Sequence, residues 1–258
     1  MPEKDLDIKA IPAFDDNYIW MLTAGGKTCA VVDPGDEDPV LEKLEEQGLE
    51  LRYILLTHHH HDHTGGVTAL LERYDATVFG PADERIPFVH RLCRESDEVH
   101  LPDLDVKFRV LEVPAHTRSH IAYHGKNILF SGDTLFSLGC GRFFEGTAED
   151  MQKSLDKLAA LPGNTQNYCA HEYTRSNCAF ALEVEPGNPE LRARSREIDH
   201  LRAAGKITLP TRLSDELATN PFLRTRTNSV VQAARRFDPQ ARAGISTMAA
   251  IRAWKDRF

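Results

Sequence analysis

The chain has 258 residues, 41% hydrophobic and 27% charged, with a formal net charge of −8. That length suits one large domain, or a main domain with a smaller appendage, of ordinary globular composition. The acidic balance argues against a nucleic-acid partner, which would require a basic face. No run nears the roughly 18 to 20 apolar residues of a membrane-spanning helix, so no membrane partner is expected. The charged start MPEKDLDIKA lacks the apolar stretch of a secretory signal. Five cysteines, odd in number and without a CxxC pair, suit free thiols in a reducing compartment better than a disulfide framework. Cytoplasmic residence and a monomeric state are the expectations.

Tyr18-Ile19-Trp20-Met21-Leu22, a turn at Ala24-Gly25-Gly26-Lys27, and Cys29-Ala30-Val31-Val32 predict a hairpin. Residues 39–47 read as a helix closed by Gly48. The apolar strand Tyr53-Ile54-Leu55-Leu56 runs into THHHHDHTGG, and Val67, Leu70, Leu71 and Tyr74 then carry helical spacing. Further strands are predicted over 77–79, 107–113, 127–130 and 167–170, with a helix over 148–161 presenting Met151, Leu155 and Leu158 on one face. Beyond residue 172 strand signals vanish, and helices are predicted over 190–204, 228–237 and 239–257, with prolines between them. The expectation is an α/β domain over 1–172 and a smaller helical domain over 173–258.

Residues 58–63 hold five histidines and one aspartate, the nitrogen and oxygen donors a borderline divalent metal prefers. The tract is internal, follows a strand and contains an acid, so it does not read as a purification tag. On a chain leaving the core at Leu56, His58 and His60 fall on one side. Asp62 and His63 turn toward a second position, and His59 and His61 alternate away. One short loop can therefore serve two metals.

Three later positions repeat the arrangement: Val110-Leu111-Glu112-Val113 leads to His116, Asn127-Ile128-Leu129-Phe130 to Asp133, and Asn167-Tyr168-Cys169 to His171. A single histidine after a strand is usually a bonded loop residue, but repetition at strand ends is how α/β proteins gather ligands. The candidate ligands are His58, His60, Asp62, His63, His116, Asp133 and His171. If Asp133 bridges through its two oxygens, coordination positions remain open for solvent and substrate. Zinc, iron and manganese all accept such donors, with zinc the first expectation. Cys169 reads as a buried structural thiol. Gly139-Cys140-Gly141 reads as a tight loop, since the GK[ST] ending of a phosphate loop is absent. His90, His100, His124 and His200 read as surface or locally bonded residues.

Thr57-His58-His59-His60-His61-Asp62-His63 resembles the THxHxDH signature of the metallo-β-lactamase superfamily. Ser131-Gly132-Asp133-Thr134-Leu135-Phe136, the segment 139–147, His171-Glu172-Tyr173-Thr174, Asn220-Pro221-Phe222-Leu223-Arg224 and Arg252-Ala253-Trp254-Lys255-Asp256 narrow the likeness to glyoxalase II, the hydroxyacylglutathione hydrolases. That resemblance implies a four-layer αβ/βα sandwich with a C-terminal helical domain. It implies two divalent metals: His58, His60 and His116 on one, Asp62, His63 and His171 on the other, with Asp133 between. The implied substrate is a glutathione thioester, typically S-D-lactoylglutathione, in methylglyoxal detoxification. Asp62 and Asp133 take the catalytic positions, and Arg252 and Lys255 grip the glycine end with help from Tyr173 and Arg142. Ala115 and Ser119 stand where the family usually has glycine, which carries strain if either position needs positive φ. Arg142 replaces a common lysine, and Phe144 a tyrosine, so one substrate contact is lost. His120 fits the pattern without reading as a ligand.

Three rivals remain. A persulfide dioxygenase on the same scaffold would use one iron on His58, His116 and Asp133. A nuclease of the superfamily would need a basic face, and a metal-buffering protein would not need ligands with open positions.

Overall fold

The structure, a computed structural model, describes residues 6–258, so part of the charged N-terminal stretch, residues 1–5, lies outside the described residues. Two compact units divide the chain: the described residues up to Glu112 with Ser119–Gly132, and Val113–Arg118 with Asp133–Phe258.

In the first unit, β1 (Asp7–Ala13), β2 (Asn17–Thr23), β3 (Thr28–Val32), β4 (Glu50–Leu55), β5 (Thr77–Pro81) and β6 (Arg91–Cys93) form one sheet in chain order. β1, β2 and β3 are antiparallel neighbours, whereas β3 to β6 run parallel. The predicted hairpin is β2–β3, with Gly25 at φ 71° in its turn. α1 (Asp38–Gln47) carries Pro39 in its first turn and closes on Gly48 at φ 62°. The short α2 (His61–Thr64) and α3 (Val67–Arg73) follow β4. Val40 and Leu44 of α1 and Val67 and Leu70 of α3 pack on Val31, Ile54 and Val78 of the sheet. Parallel strands covered by crossover helices are apolar throughout, which is why residues 53–56 read as a continuous buried run. The unit's other strands, β7 (Glu98–Leu101), β8 (Val106–Glu112), β9 (Ile121–Gly125) and β10 (Ile128–Gly132), pair antiparallel in the order β10-β9-β8-β7. Phe108 and Phe130 meet edge to face within them.

The second unit opens with a small hairpin, β11 (Leu135–Phe136) and β12 (Gly139–Cys140). Its turn puts Leu138 at φ 57°, held because the buried Glu216 carboxylate accepts from Leu138 N at 2.7 Å. Asn220 Nδ2 donates to Phe136 O, Gly139 O and Glu216 Oε2, so the Asn220-Pro221-Phe222 motif staples this turn. α4 (Ala148–Ala159) starts at a capping box of Thr147 and Asp150. β13 (Gln166–Cys169), α5 (Thr174–Val184), α6 (Pro189–Ala203), β14 (Thr211–Arg212), α7 (Leu213–Thr219), α8 (Asn228–Phe237) and α9 (Ile245–Lys255) complete it. Phe180, Phe222, Phe237 and Trp254 stack at the junction of the helices.

Two expectations are corrected. A strand does exist beyond residue 172: β14 pairs antiparallel with β13, but two residues are too few to show alternation. The last helix begins at Ile245 rather than 239, because Gly244 adopts φ 83°, outside the helical region. Among the described residues, no helix is long and apolar enough to cross a membrane. The mixed sheets and the helical C-terminal region give an α+β fold.

Candidate metal centre

In the first unit the histidine loop hangs on Asp33, which directly follows β3. Its buried carboxylate accepts from Thr57 N at 2.8 Å and from Thr57 Oγ1 at 2.7 Å, and His63 Nδ1 lies 3.1 Å from its Oδ2. A carboxylate accepts only, so His63 carries its proton on Nδ1 and keeps Nε2, 3.3 Å from Asp62 Oδ2, as the donor atom. Asn17 Nδ2 donates to Asp62 O at 3.3 Å and Asp62 Oδ2 at 3.1 Å. On Asp62's other side the chain passes so close to Gly35 that a β-carbon there would sit 1.9 Å from Asp62 O. His58 is fully buried, with Nε2 3.0 Å from His60 Nδ1, and His120 stacks on its ring at 4.6 Å. The loop thus presents two donor pairs, His58 with His60 and Asp62 with His63.

His61 is exposed and His59 turns toward Asp83, Nδ1 to Oδ2 3.7 Å. Asp83 is held well below the usual carboxylate range by its bonds to Arg85 and, opposing its burial, to Ser119. The Ser119 hydroxyl donates to Asp83 Oδ2 at 2.5 Å, so this departure from glycine adds a contact.

In the second unit Asp133 lies between two imidazoles. His116 Nε2 is 3.4 Å from Asp133 Oδ2, and His171 Nε2 is 3.2 Å from Asp133 Oδ1. All three are buried. His116 Nδ1 faces the Arg142 carbonyl oxygen at 3.0 Å, which only accepts, so Nδ1 holds the proton and Nε2 keeps a lone pair toward the carboxylate. A nitrogen lone pair facing a carboxylate oxygen is repulsive unless a cation joins them, and one imidazole per oxygen is the layout of a bridging carboxylate. The donor set therefore fits divalent metal. Close packing supports it: a β-carbon on Gly141 would lie 2.0 Å from Asp133 O, and one on Gly146 2.5 Å from Ala115 Cα. Ala115 itself has φ 159°, close to extended, so its β-carbon carries no strain. Burial keeps the Cys169 thiol protonated, as a structural cysteine.

Beside these residues, the Tyr173 ring stacks on His171 at 4.7 Å, and Phe144, largely exposed, lies 5.1 Å from the His116 ring. Arg252 is buried, with Nη1 donating to Cys140 O at 3.1 Å and Nη2 to Asp256 Oδ1 at 2.9 Å. A residue serving only the helix dipole would lie in solvent; this one is drawn inward. Lys255 Nζ donates to Asn177 Oδ1, and burial together with the neighbouring Arg252 charge lowers its ammonium to about 8. Arg142 Nε lies 3.6 Å from Asp256 Oδ1. Arg142, Arg252 and Lys255 form one cationic corner suited to an anion.

Asp33, Asn17 and Asn177 belong to none of the sequence motifs, and Asp256 stands in the last motif without an assigned role. Asp33 was findable, since it too is an acid immediately after an apolar strand. Asn17, Asn177 and Asp256 act through contacts that spacing does not reveal. His90 accepts from Val78 N at 3.1 Å, a local bond as expected.

Residues 13–171 match the family model of the metallo-β-lactamase superfamily, and residues 172–258 match that of the hydroxyacylglutathione hydrolase C-terminus. A hydroxyacylglutathione hydrolase of Xanthomonas euvesicatoria pv. vesicatoria is 52% identical over 96% of this chain and 98% of its own length. One from Aliivibrio salmonicida is 52% identical over 97% of this chain and 99% of its own. Among solved structures, ETHE1 from Myxococcus xanthus aligns with TM-score 0.65 and 24% identity over 96% of this chain and 98% of that one. A metallo-β-lactamase from Staphylococcus aureus aligns with TM-score 0.63 and 18% identity over 98% of this chain and 72% of that one. These two likenesses concern the fold, which is that of the metallo-β-lactamases. On its sequence, from residue 13 to its last, the chain belongs to the hydroxyacylglutathione hydrolase family.

Proposed function

We propose that this chain is a thioester hydrolase that cleaves S-(2-hydroxyacyl)glutathione, typically S-D-lactoylglutathione, to glutathione and a 2-hydroxy acid such as D-lactate. The observation that carries the reading is Asp133, buried with one imidazole nitrogen on each of its oxygens. His58, His60 and His116 would hold one cation and Asp62, His63 and His171 a second, with Asp133 available to both.

Two divalent cations held there, zinc first and iron or manganese as alternatives, would make water acidic enough to attack near neutral pH and would polarise the thioester carbonyl. The protein's own groups do the rest. Asp62, gripped by Asn17, accepts the proton of the attacking water. Asp133 holds the two imidazoles apart and oriented. Arg252, Lys255 and Arg142 bind the glycine end of the peptide, with help from Tyr173. Phe144 offers an apolar face but no hydroxyl, which weakens binding without stopping turnover. The leaving thiol, with a pKa near about 8.5 to 9, departs as thiolate without a strong general acid. No serine, cysteine or lysine nucleophile is required.

The same reading includes a metal-binding domain over 1–172 and a glutathione-binding domain over 173–258. Support comes from the boundary between the two family models at residues 171 and 172. It also includes a monomer resident in the cytoplasm and acting in methylglyoxal breakdown. For the alternative, a one-iron persulfide dioxygenase, the likeness to solved structures supplies the fold alone, and the match over 172–258 favours the hydrolase.

The test is hydrolysis of S-D-lactoylglutathione with metal analysis of the same sample. No thioester cleavage by fully metallated protein, or oxygen uptake with glutathione persulfide on a single iron, sinks the proposal.

A further inference from the structure

The last helix ends in Arg252-Ala253-Trp254-Lys255-Asp256. A carboxylate at a helix C-terminus faces the negative end of the dipole and is disfavoured, so helix stability does not explain Asp256. Its contacts do. Oδ1 accepts from Arg252 Nη2 at 2.9 Å and lies 3.6 Å from Arg142 Nε. The Arg252 guanidinium is buried, and among the described residues its Nε finds no hydrogen-bond partner. The Asp256 side chain is 42% exposed, so a carboxylate arriving from solvent can reach the same two cations. Two guanidinium groups therefore converge on one partly exposed internal carboxylate, next to the half-buried Lys255.

We infer that Asp256 is a specificity-determining residue whose carboxylate occupies Arg252 and Arg142 in place of a carboxylate of the peptide, competing with bound thioester and with released glutathione alike. This rests on the proposed glutathione site. Partly exposed ion pairs of this kind are weak, so substrate displaces Asp256 readily. The competition loosens both complexes, and it is felt mainly in dissociation. The enzyme thereby gives up some affinity for substrate and gains faster escape of product.

The experiment uses the metallated full chain with Asp256→Asn and, as a second variant, Asp256→Ser. Each is assayed on S-D-lactoylglutathione and on S-D-lactoyl-N-acetylcysteamine, the same ester without the peptide carboxylates, and with glutathione as product inhibitor. The expected result is that KM for the glutathione thioester and Ki for glutathione both fall roughly three- to fivefold, the size of one partly exposed charge interaction. KM for the N-acetylcysteamine thioester stays where it was. An unchanged or raised KM for the glutathione thioester, or an equal change on both esters, overturns the inference and leaves the hydrolase reading standing. A wild-type enzyme inert on both esters overturns the two together.

Discussion

Replacing Asp33 by asparagine probes how the histidine loop is held. Asp33 sits at φ 51°, a region asparagine also tolerates, so the backbone cost is small. The amide oxygen can still accept from Thr57 N, as Oδ1 now does at 2.8 Å. The amide nitrogen then takes the place of Oδ2, which accepts from Thr57 Oγ1 and faces His63 Nδ1. The Thr57 hydroxyl can turn to His58 Nδ1, 3.0 Å away, only where that nitrogen carries no proton. His63 has no such alternative, because its N–H would meet another N–H. Its proton must move to Nε2, the nitrogen beside Asp62, and a protonated nitrogen does not ligate metal. A buried donor left without its acceptor costs about 1–3 kcal/mol. For a chain of this size that lowers the melting temperature by about 2–4 °C per kcal/mol. Loss of an orienting partner weakens metal binding roughly 10–100-fold. Calorimetry of the chelated protein reads the first effect and cobalt titration the second. Two equivalents bound at wild-type affinity by Asp33→Asn would refute the tautomer argument.

Gly35→Ala places a β-carbon 1.9 Å from Asp62 O; such overpacking costs about 1–3 kcal/mol and pushes Asp62 away, so unaltered melting and metal stoichiometry would contradict the packing. Because burial and Arg252 lower the Lys255 ammonium to about 8, it is cationic below that pH and neutral above. KM for S-D-lactoylglutathione should therefore rise as pH climbs through about 8, and Lys255→Arg, which stays charged, should flatten the rise; a flat wild-type profile counts against it. Arg224→Leu strips the buried Glu185 carboxylate of guanidinium bonds at 2.7 and 3.1 Å, an expected loss of about 3–5 kcal/mol in denaturant unfolding that adding Glu185→Gln should partly restore. Exhaustive chelation should abolish thioester hydrolysis and zinc should bring it back, whereas activity persisting without metal would end the dimetal reading.

The candidate ligands were legible because both signals are local. Donor chemistry is a property of residue type, and a buried strand such as β4 or β10 announces itself by an unbroken apolar run, so His58 and Asp133 could be placed at strand ends without knowing what lies beside them. Amphipathic helices were legible for the same reason: α4 and α8 repeat their apolar positions each turn. Short or irregular elements were not, as with β14, whose two residues have no period to read, and α9, whose start depends on the φ of Gly244.

The protonation and aim of each side chain were decided only in three dimensions. His63 is oriented by Asp33, His116 by the Arg142 carbonyl and Asp62 by Asn17, each partner some 26 to 45 residues away along the chain. Asp256 likewise turns from a poor helix terminator into a partner of Arg142 only through tertiary contact. Residue type sets which atoms can donate or accept and apolar periodicity sets which segments are buried; which donor meets which acceptor follows from packing distant segments together, and a linear pattern carries no record of that.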